Sequence, residues 1–310
     1  MSDAGGSGFV VGPVTVAVPA TSANLGPGFD CLGLALDLHD RLTAEVVVPA
    51  AGEDALQIEV VGEGAGTLPR SERHLVVRSM RAMFEILGVD PPGLRLHFAN
   101  AIPQSRGLGS SSAAIIGGLV LARALVVDGD RFDDHSLLFL ANRIEGHPDN
   151  VAPALIGGFV VTGQAEDEVW AVSAPVDPAI SAVAFVPPTG VSTEAARGLL
   201  PAEVPHPSAA ANTGRAALLV TALAGAPDQL LRGTEDFLHQ QYRSSAMPGS
   251  YGLVTALRAD GFAAFISGAG PTVLVLGRTD DLAGLPDRCP DGWAVHPLAV
   301  DRAGVRVVPA

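Results

Sequence analysis

Residues 102–114 read Ile-Pro-Gln-Ser-Arg-Gly-Leu-Gly-Ser-Ser-Ser-Ala-Ala and run straight into the apolar stretch Ile115–Val126. That stretch predicts a helix from about Ser110 to Val126. Gly107 and Gly109 let a ligand approach the backbone closely, and the serines add hydroxyls. The first-turn N–H groups of a helix have no partners within it, and its dipole favours an anion. The segment therefore has the makings of a phosphate loop, and a serine hydroxyl there can also ligate a metal. Two other readings use the same residues. Small residues at a helix start also serve close packing against a sheet. Gly107-Leu-Gly-Ser-Ser-Ser112 also approaches the dinucleotide fingerprint, with Asp128 about twenty residues on, where a ribose-binding acid would stand. That fingerprint should follow a strand directly and carry a third glycine. Here Ala99–Arg106, with Pro103, intervenes, and the third glycine is absent.

Working outward, Leu94, Leu96 and Phe98 alternate as in a strand, and His74–Leu87 has a helical apolar rhythm. Val14–Val18 reads as a strand stopped by Pro19, and Cys31–Leu38 and Leu42–Val48 read as two more, followed by Leu56–Val61. A helix is predicted over Asp133–Ile144, ending at Gly146 and Pro148, with strands Phe159–Thr162 and Val169–Val172 beyond it. A Pro-rich stretch around Pro175, Pro178 and Pro187 marks the best domain boundary. Strands follow at Ser181–Val186, Ala263–Ser267, Val273–Leu276 and Trp293–Leu298, with helices at Thr193–Leu199, Asn212–Ala224 and Tyr251–Ala259. Strands and helices are mixed without strict alternation, which predicts an α+β fold and argues against a doubly wound sheet.

The 310 residues favour two domains, and 48% apolar against 17% charged residues supply a sizeable core. The expected division is a loose tail over 1–12, an N-terminal domain over 13–174 and a C-terminal domain over 175–310. A net charge of -14 excludes nucleic acid and anionic membrane as main partners. Lysine is absent, so all 19 basic residues are arginine. Without lysine there is no Walker A contact and no Schiff base. Phosphate must be held by backbone N–H groups, arginine and metal. Two cysteines with no Cys/His cluster argue against structural zinc and disulfides. The N-terminal residues lack a signal-peptide pattern and the longest apolar run is too short to span a membrane, so a soluble cytoplasmic protein is expected.

Five segments in register resemble the GHMP kinases, the family named for galactokinase, homoserine kinase, mevalonate kinase and phosphomevalonate kinase. They are Pro19-Ala-Thr-Ser-Ala-Asn-Leu-Gly-Pro-Gly-Phe-Asp-Cys-Leu-Gly33, Pro103…Gly107–Ala114, Glu145-Gly-His-Pro-Asp-Asn-Val-Ala-Pro-Ala154, His239-Gln-Gln-Tyr-Arg243 and Ser267-Gly-Ala-Gly-Pro-Thr272. The first, third and fourth point to the homoserine-kinase branch. The resemblance implies an N-terminal ATP domain, a ferredoxin-like C-terminal domain and a cleft between them. It implies phosphoryl transfer from Mg²⁺-ATP to the side-chain hydroxyl of homoserine, in a homodimer.

By the same resemblance, ATP would lie on Pro103, Gln104, Ser105, Arg106, Gly107, Leu108, Gly109, Ser110, Ser111, Ser112 and Ala113. Ser111 and Glu145 would hold the metal; some relatives carry that glutamate further upstream, where this chain has Phe139. Arg197 and Arg243 would take the substrate carboxylate, the natural task of an arginine fork, with Thr193 and Gly268 nearby. Asp30 would meet the ammonium, and Asn24 and Asn150 the reacting end, with Ser111 beside them and His147 in the pocket. Asn150 stands where mevalonate-type relatives have an aspartate. An amide is no base, so the resemblance implies direct transfer, with the proton passing to the γ-phosphate or to Asp149. The adenine contact, often Asn-Leu-Val in the family, reads His74-Leu75-Val76 here.

Overall fold

In the computed structural model, residues 8–309 are described except 53 and 167. The first half holds strands β1 (Val14–Asn24), β2 (Gly28–Val47), β3 (Leu56–Gly62), β4 (Gly93–Asn100), β5 (Phe159–Ala165) and β6 (Glu168–Ala174). Its helices are α1 (Leu75–Leu87), α2 (Ser110–Leu125), α3 (Asp134–Glu145) and α4 (Pro148–Ile156). The second half begins with β7 (Ile180–Val186), then α5 (Thr193–Gly198), α6 (His206–Gly225), α7 (Leu230–Gly233), α8 (Gln240–Arg243) and α9 (Pro248–Ala259). It closes with β8 (Ala263–Ile266), β9 (Val273–Arg278), β10 (Ala294–Ala299) and β11 (Arg306–Val308).

The first sheet has the order β11-β1-β2-β4-β3, with β5 pairing both β2 and β6. Its pairs are antiparallel except β3 with β4. Pro19 does not stop β1. The register shifts between Pro19 and Ala20, so a bulge absorbs the missing N–H and the strand runs on to Asn24. The two strands expected over 31–48 are one long strand, β2. His39 and Asp40 looked like a break, yet Asp40 is only 4% exposed. Its Oδ1 accepts the N–H groups of Ala101 and Ile102 at 2.7 and 2.9 Å, which anchors the exit from β4.

Helix α2 is buried along almost its whole length between the sheet and α1. A Cβ on Gly118 would sit 2.5 Å from Val76 O, so that glycine lets the two helices touch. The loop from Asn100 to α2 separates it from β4, which removes the dinucleotide reading. Helix α4 is not among the helices the sequence predicts. Gly146 closes α3 in a left-handed conformation, and Pro148 occupies the first turn of α4, where its missing N–H is harmless.

The second sheet has the antiparallel order β10-β7-β9-β8. Taken in chain order this is fourth, first, third, second, the ferredoxin-like arrangement. Short 3₁₀ turns at 280–282 and 285–288 stand in place of a second crossover helix. Ala182, Ala184, Phe265 and Leu274 on one face join the core of the first sheet, while Val183, Phe185 and Ile266 face α9 through Val254 and Leu257. The chain then returns: β11 pairs with β1, so the last strand belongs to the first sheet and not to the C-terminal part expected over 175–310. Of the loose tail expected over 1–12, residues 1–7 lie outside the described residues. From Gly8 on the chain is tied down, with Val10 N on Leu125 O at 2.8 Å and Phe9 edge-on to Phe84. Among the described residues no helix is long and apolar enough to cross a membrane.

Candidate active site

One cleft between the sheets collects side chains that are far apart in sequence. It is lined by Asn24, Phe29 and Asp30 from the β1–β2 turn and by Ser105–Gly107 and Gly109–Ser111 from the loop and the start of α2. Glu145, His147, Asp149 and Asn150 come from the α3–α4 junction, Thr193 and Arg197 from α5, and Arg243 from α8. Gly268–Gly270 of the β8–β9 turn complete it. Asn24, Asp30 and Ser105 all hold φ angles between 54° and 69°, the left-handed region that non-glycine residues adopt uncommonly.

The loop glycines are required by close approach. A Cβ on Gly107 would lie 2.2 Å from Ser267 O, and one on Gly109 would lie 1.9 Å from Thr21 Oγ1. Ser267 Oγ sits 2.6 Å from Gly107 O, tying the β8–β9 turn to the loop. Gly109 caps α2 without a side-chain hydrogen bond, which leaves first-turn N–H groups for an anion. Ser110 and Ser111 line the cleft. Leu108, Ser112 and Ala113 are buried, so those three shape the loop from behind. Gln104 lines the neighbouring recess, and Pro103 directly precedes it in the loop.

Arg106 lines the cleft, and its guanidinium is also tied to backbone carbonyls. Its guanidinium donates to Gln104 O at 2.8 Å, to Pro187 O at 2.9 Å and to Pro188 O. Three carbonyls thus occupy the group expected to face phosphate, and they tie the loop to the segment that leads into α5. Glu145, in contrast, meets the loop: its Oε1 accepts the Ser111 and Ser112 hydroxyls at 2.7 and 3.0 Å. A carboxylate and a serine hydroxyl at an anion-binding helix start form an all-oxygen donor set, which suits Mg²⁺.

Asn24 Nδ2 donates to Gly268 O at 2.9 Å, and its Oδ1 accepts the Asp30 N–H at 3.0 Å. Asn150 lies in the first turn of α4, and its Oδ1 accepts the Thr21 hydroxyl at 2.7 Å. His147 Nδ1 and Asp149 Oδ1 are 2.7 Å apart. Burial works against a charge on His147, but the Asp149 hydrogen bond and charge, with Glu145 beyond, outweigh it and raise its pKa.

Arg197 donates both terminal nitrogens to Asp30, at 3.0 and 2.7 Å. This hydrogen bond raises the Arg197 pKa. Arg243 is 2% exposed. Burial, and then the Arg197 charge, lower its pKa. Its Nε donates to Ala196 O and its NH1 lies 3.3 Å from His239 Nδ1. The His239 Nε2 is 2.7 Å from Gly26 O, which makes Nδ1 the acceptor for Arg243. Phe29 lies between the two arginines, 5.5 and 5.3 Å from their guanidinium carbons. This corner of the site therefore presents two cations, an apolar plate and the Asp30 carboxylate within a short reach.

Thr21, Phe29, His239 and Ser267 were not singled out by sequence. Thr21 and Ser267 lie inside quoted motifs, and His239 sits one helical turn before Arg243, the available signal for its role. A second recess shares Ser105, Ser110 and Ser111 with the cleft and is lined by Leu68, His74, Leu75 and Gln104. His74 Nδ1 caps α1 by accepting the Val76 N–H at 3.2 Å, so His74 is a helix cap as well as a lining residue.

Residues 74–158 match the GHMP kinases N terminal domain, and residues 218–285 match the GHMP kinases C terminal domain. A homoserine kinase of Streptomyces avermitilis is 53% identical over 98% of this chain and 98% of the relative. This chain belongs to the homoserine kinases of the GHMP family. Another member, from Cutibacterium acnes, is 46% identical over 93% of this chain and 96% of its own length. The crystal structure of homoserine kinase from Cytophaga hutchinsonii superposes with a TM-score of 0.81 at 28% identity, covering 96% of this chain and 97% of that one. A mevalonate diphosphate decarboxylase from Staphylococcus aureus, 14% identical, shares the fold of this GHMP kinase with a TM-score of 0.69.

Proposed function

We propose that this chain transfers the γ-phosphoryl group of ATP to the side-chain hydroxyl of L-homoserine, giving O-phospho-L-homoserine for threonine synthesis in the cytoplasm. The observation that carries the reading is one cleft holding a phosphate loop beside two arginines and an aspartate. A phosphate loop alone would suit any NTP user. Arg197, Arg243 and Asp30 add complementarity to an amino acid's carboxylate and ammonium.

The loop N–H groups of α2 hold the phosphates, with no lysine to help. Ser111 and Glu145 would hold Mg²⁺, which supplies charge neutralisation on the phosphate oxygens. Arg243 is fixed by Ala196 O and His239, so it takes the carboxylate with little loss of side-chain freedom. Arg197 shares Asp30 with the incoming zwitterion: its carboxylate goes to the arginines and its ammonium to Asp30. Thr193 adds a hydroxyl, and the Gly268 carbonyl holds Asn24. Asn24 and Asn150 position the hydroxyl. Asp149 is bound to His147, and Asn150 cannot take a proton. Direct transfer, with the proton passing to a γ-phosphate oxygen, suits a loose transition state that needs little early deprotonation. The same resemblance implies a homodimer, which light scattering would read as twice the chain mass.

The test is a coupled ADP assay over a panel of homoserine, mevalonate-type acids and sugars. ADP release should depend on homoserine. Arg197→Ala and Arg243→Ala should each lower kcat/KM for homoserine by about 10- to 100-fold, from the loss of one charge-assisted hydrogen bond. Arg95→Ala, on the exposed face of β4, serves as control. Equal effects from all three, or turnover of another acceptor only, would sink the reading.

A further inference from the structure

The turnover mechanism gives Asn150 a task but does not say which end of its amide performs it. Thr21 answers that. It lies in β1, 0% exposed, and meets the loop and α4 at once. Its backbone N–H donates to Leu108 O at 3.1 Å. Its side chain fills the space that a Cβ on Gly109 would need, 1.9 Å away. Its hydroxyl donates to Asn150 Oδ1 at 2.7 Å. Asn150 lines the cleft, whereas Thr21 does not.

We infer that Thr21 is a positioning residue for the transfer step: it holds the Asn150 carbonyl away from the cleft, so that the Asn150 N–H₂ group meets the reacting oxygens. The two ends of an amide are chemically opposite, one a pure acceptor and the other a double donor. Facing phosphate oxygens, the carbonyl would be repelled and the N–H₂ group would stabilise developing charge. With the Asn150 carbonyl engaged by the Thr21 hydroxyl, the N–H₂ group is the end left for the cleft. Because the same residue is bonded to the loop backbone, the donor is set in register with the phosphates. This inference rests on the assignment of Asn150 to the reacting end of the substrate.

The experiment compares steady-state kinetics of Thr21→Val, Thr21→Ser, Asn150→Ala and the double variant Thr21→Val/Asn150→Ala. Valine keeps the shape of threonine and removes the donor. Thr21→Val should lower kcat by about tenfold or more, with KM for ATP and homoserine changed less than about twofold. Thr21→Ser keeps the hydroxyl and should recover most of that loss. In the Asn150→Ala background, Thr21→Val should have no further effect, because its partner is gone. An unchanged kcat in Thr21→Val, or losses that multiply in the double variant, would overturn the inference. An Asn150→Ala enzyme at full kcat would instead refute the role of Asn150, a separate outcome. Should Thr21→Val not fold, Thr21→Ala in the same cycle gives the same readings.

Discussion

A single oxygen, Glu145 Oε1, receives two serine hydroxyls at 2.7 and 3.0 Å, and that economy makes the metal assignment testable at one atom. Glu145→Gln keeps the length and one acceptor oxygen for the two hydroxyls while removing the charge. The fold should survive. The Mg²⁺ concentration at half-maximal rate, measured at saturating ATP and homoserine, should rise by about tenfold or more, since the proposed site would lose the Glu145 charge. An unchanged Mg²⁺ titration would remove Glu145 from the metal site. Sequence singled out Ser111 and Glu145, but their meeting across 34 positions is a product of how α3 packs on α2. The same limit explains Arg106. An arginine in a Gly/Ser loop reads as a phosphate ligand, and nothing local reveals that Gln104, Pro187 and Pro188 will offer their carbonyls to it.

At the scale of elements, the continuity of β2 depends on burying an acid. Burial raises the Asp40 pKa from 3.8 to about 6, against the two backbone N–H bonds from Ile102 and Ala101 that lower it. Folded Asp40 therefore binds its proton more tightly than the unfolded chain does. Between 3.8 and about 6 the native state holds more protons than the unfolded state, so this group makes stability fall as pH rises through that window. At neutral pH the ionised form costs about 3 kcal/mol on this reckoning. Asp40→Asn keeps an acceptor for both N–H groups and abolishes the titration. It should be as stable as wild type or more so at pH 7.5, and should flatten the stability–pH curve between pH 4 and 6 in urea titrations. A variant that is less stable at pH 7.5 by several kcal/mol would show that the anion, not the acceptor, anchors the loop. Elements with strong local signals, α1, α2 and the alternating strands, were legible. The unread helix α4 had its own signal, proline in the first turn, hidden behind the glycine that closes α3. Strand β2 was unreadable as one element because burial of Asp40 is decided by the loop it caps, 61 residues away.

At the scale of the whole molecule, the two sheets are locked by a returning chain end. After β10, Asp301 is buried beside β2, where its Oδ2 meets His39 Nε2 at 2.7 Å and Arg306 NH1 at 3.0 Å. Its Oδ1 accepts the N–H groups of Ala303 and Gly304 at 2.9 and 2.8 Å, which turns the chain into β11. Burial alone would raise the Asp301 pKa, but the hydrogen bonds from His39, Ala303, Gly304 and Arg306 together take it well below the usual carboxylate range. A lowered carboxylate contributes stability above its unfolded pKa of 3.8 and loses it as pH falls through the folded value. Asp301→Asn would turn one acceptor into an N–H₂ group facing the donors of His39 and Arg306. Breaking such a partly buried cluster should destabilise the protein by about 2 to 3 kcal/mol, the lower side of the usual range because Arg306 is partly exposed. The melting temperature should drop by roughly 5 °C or more at pH 7, and the gap from wild type should narrow below pH 3.8, where the unfolded chain takes up the Asp301 proton before the folded one does. Arg306→Ala should show a smaller drop with the same narrowing. Equal melting temperatures at pH 7, or a gap that widens on acidification, would mean that β11 is held by its ladder with β1 and not by Asp301.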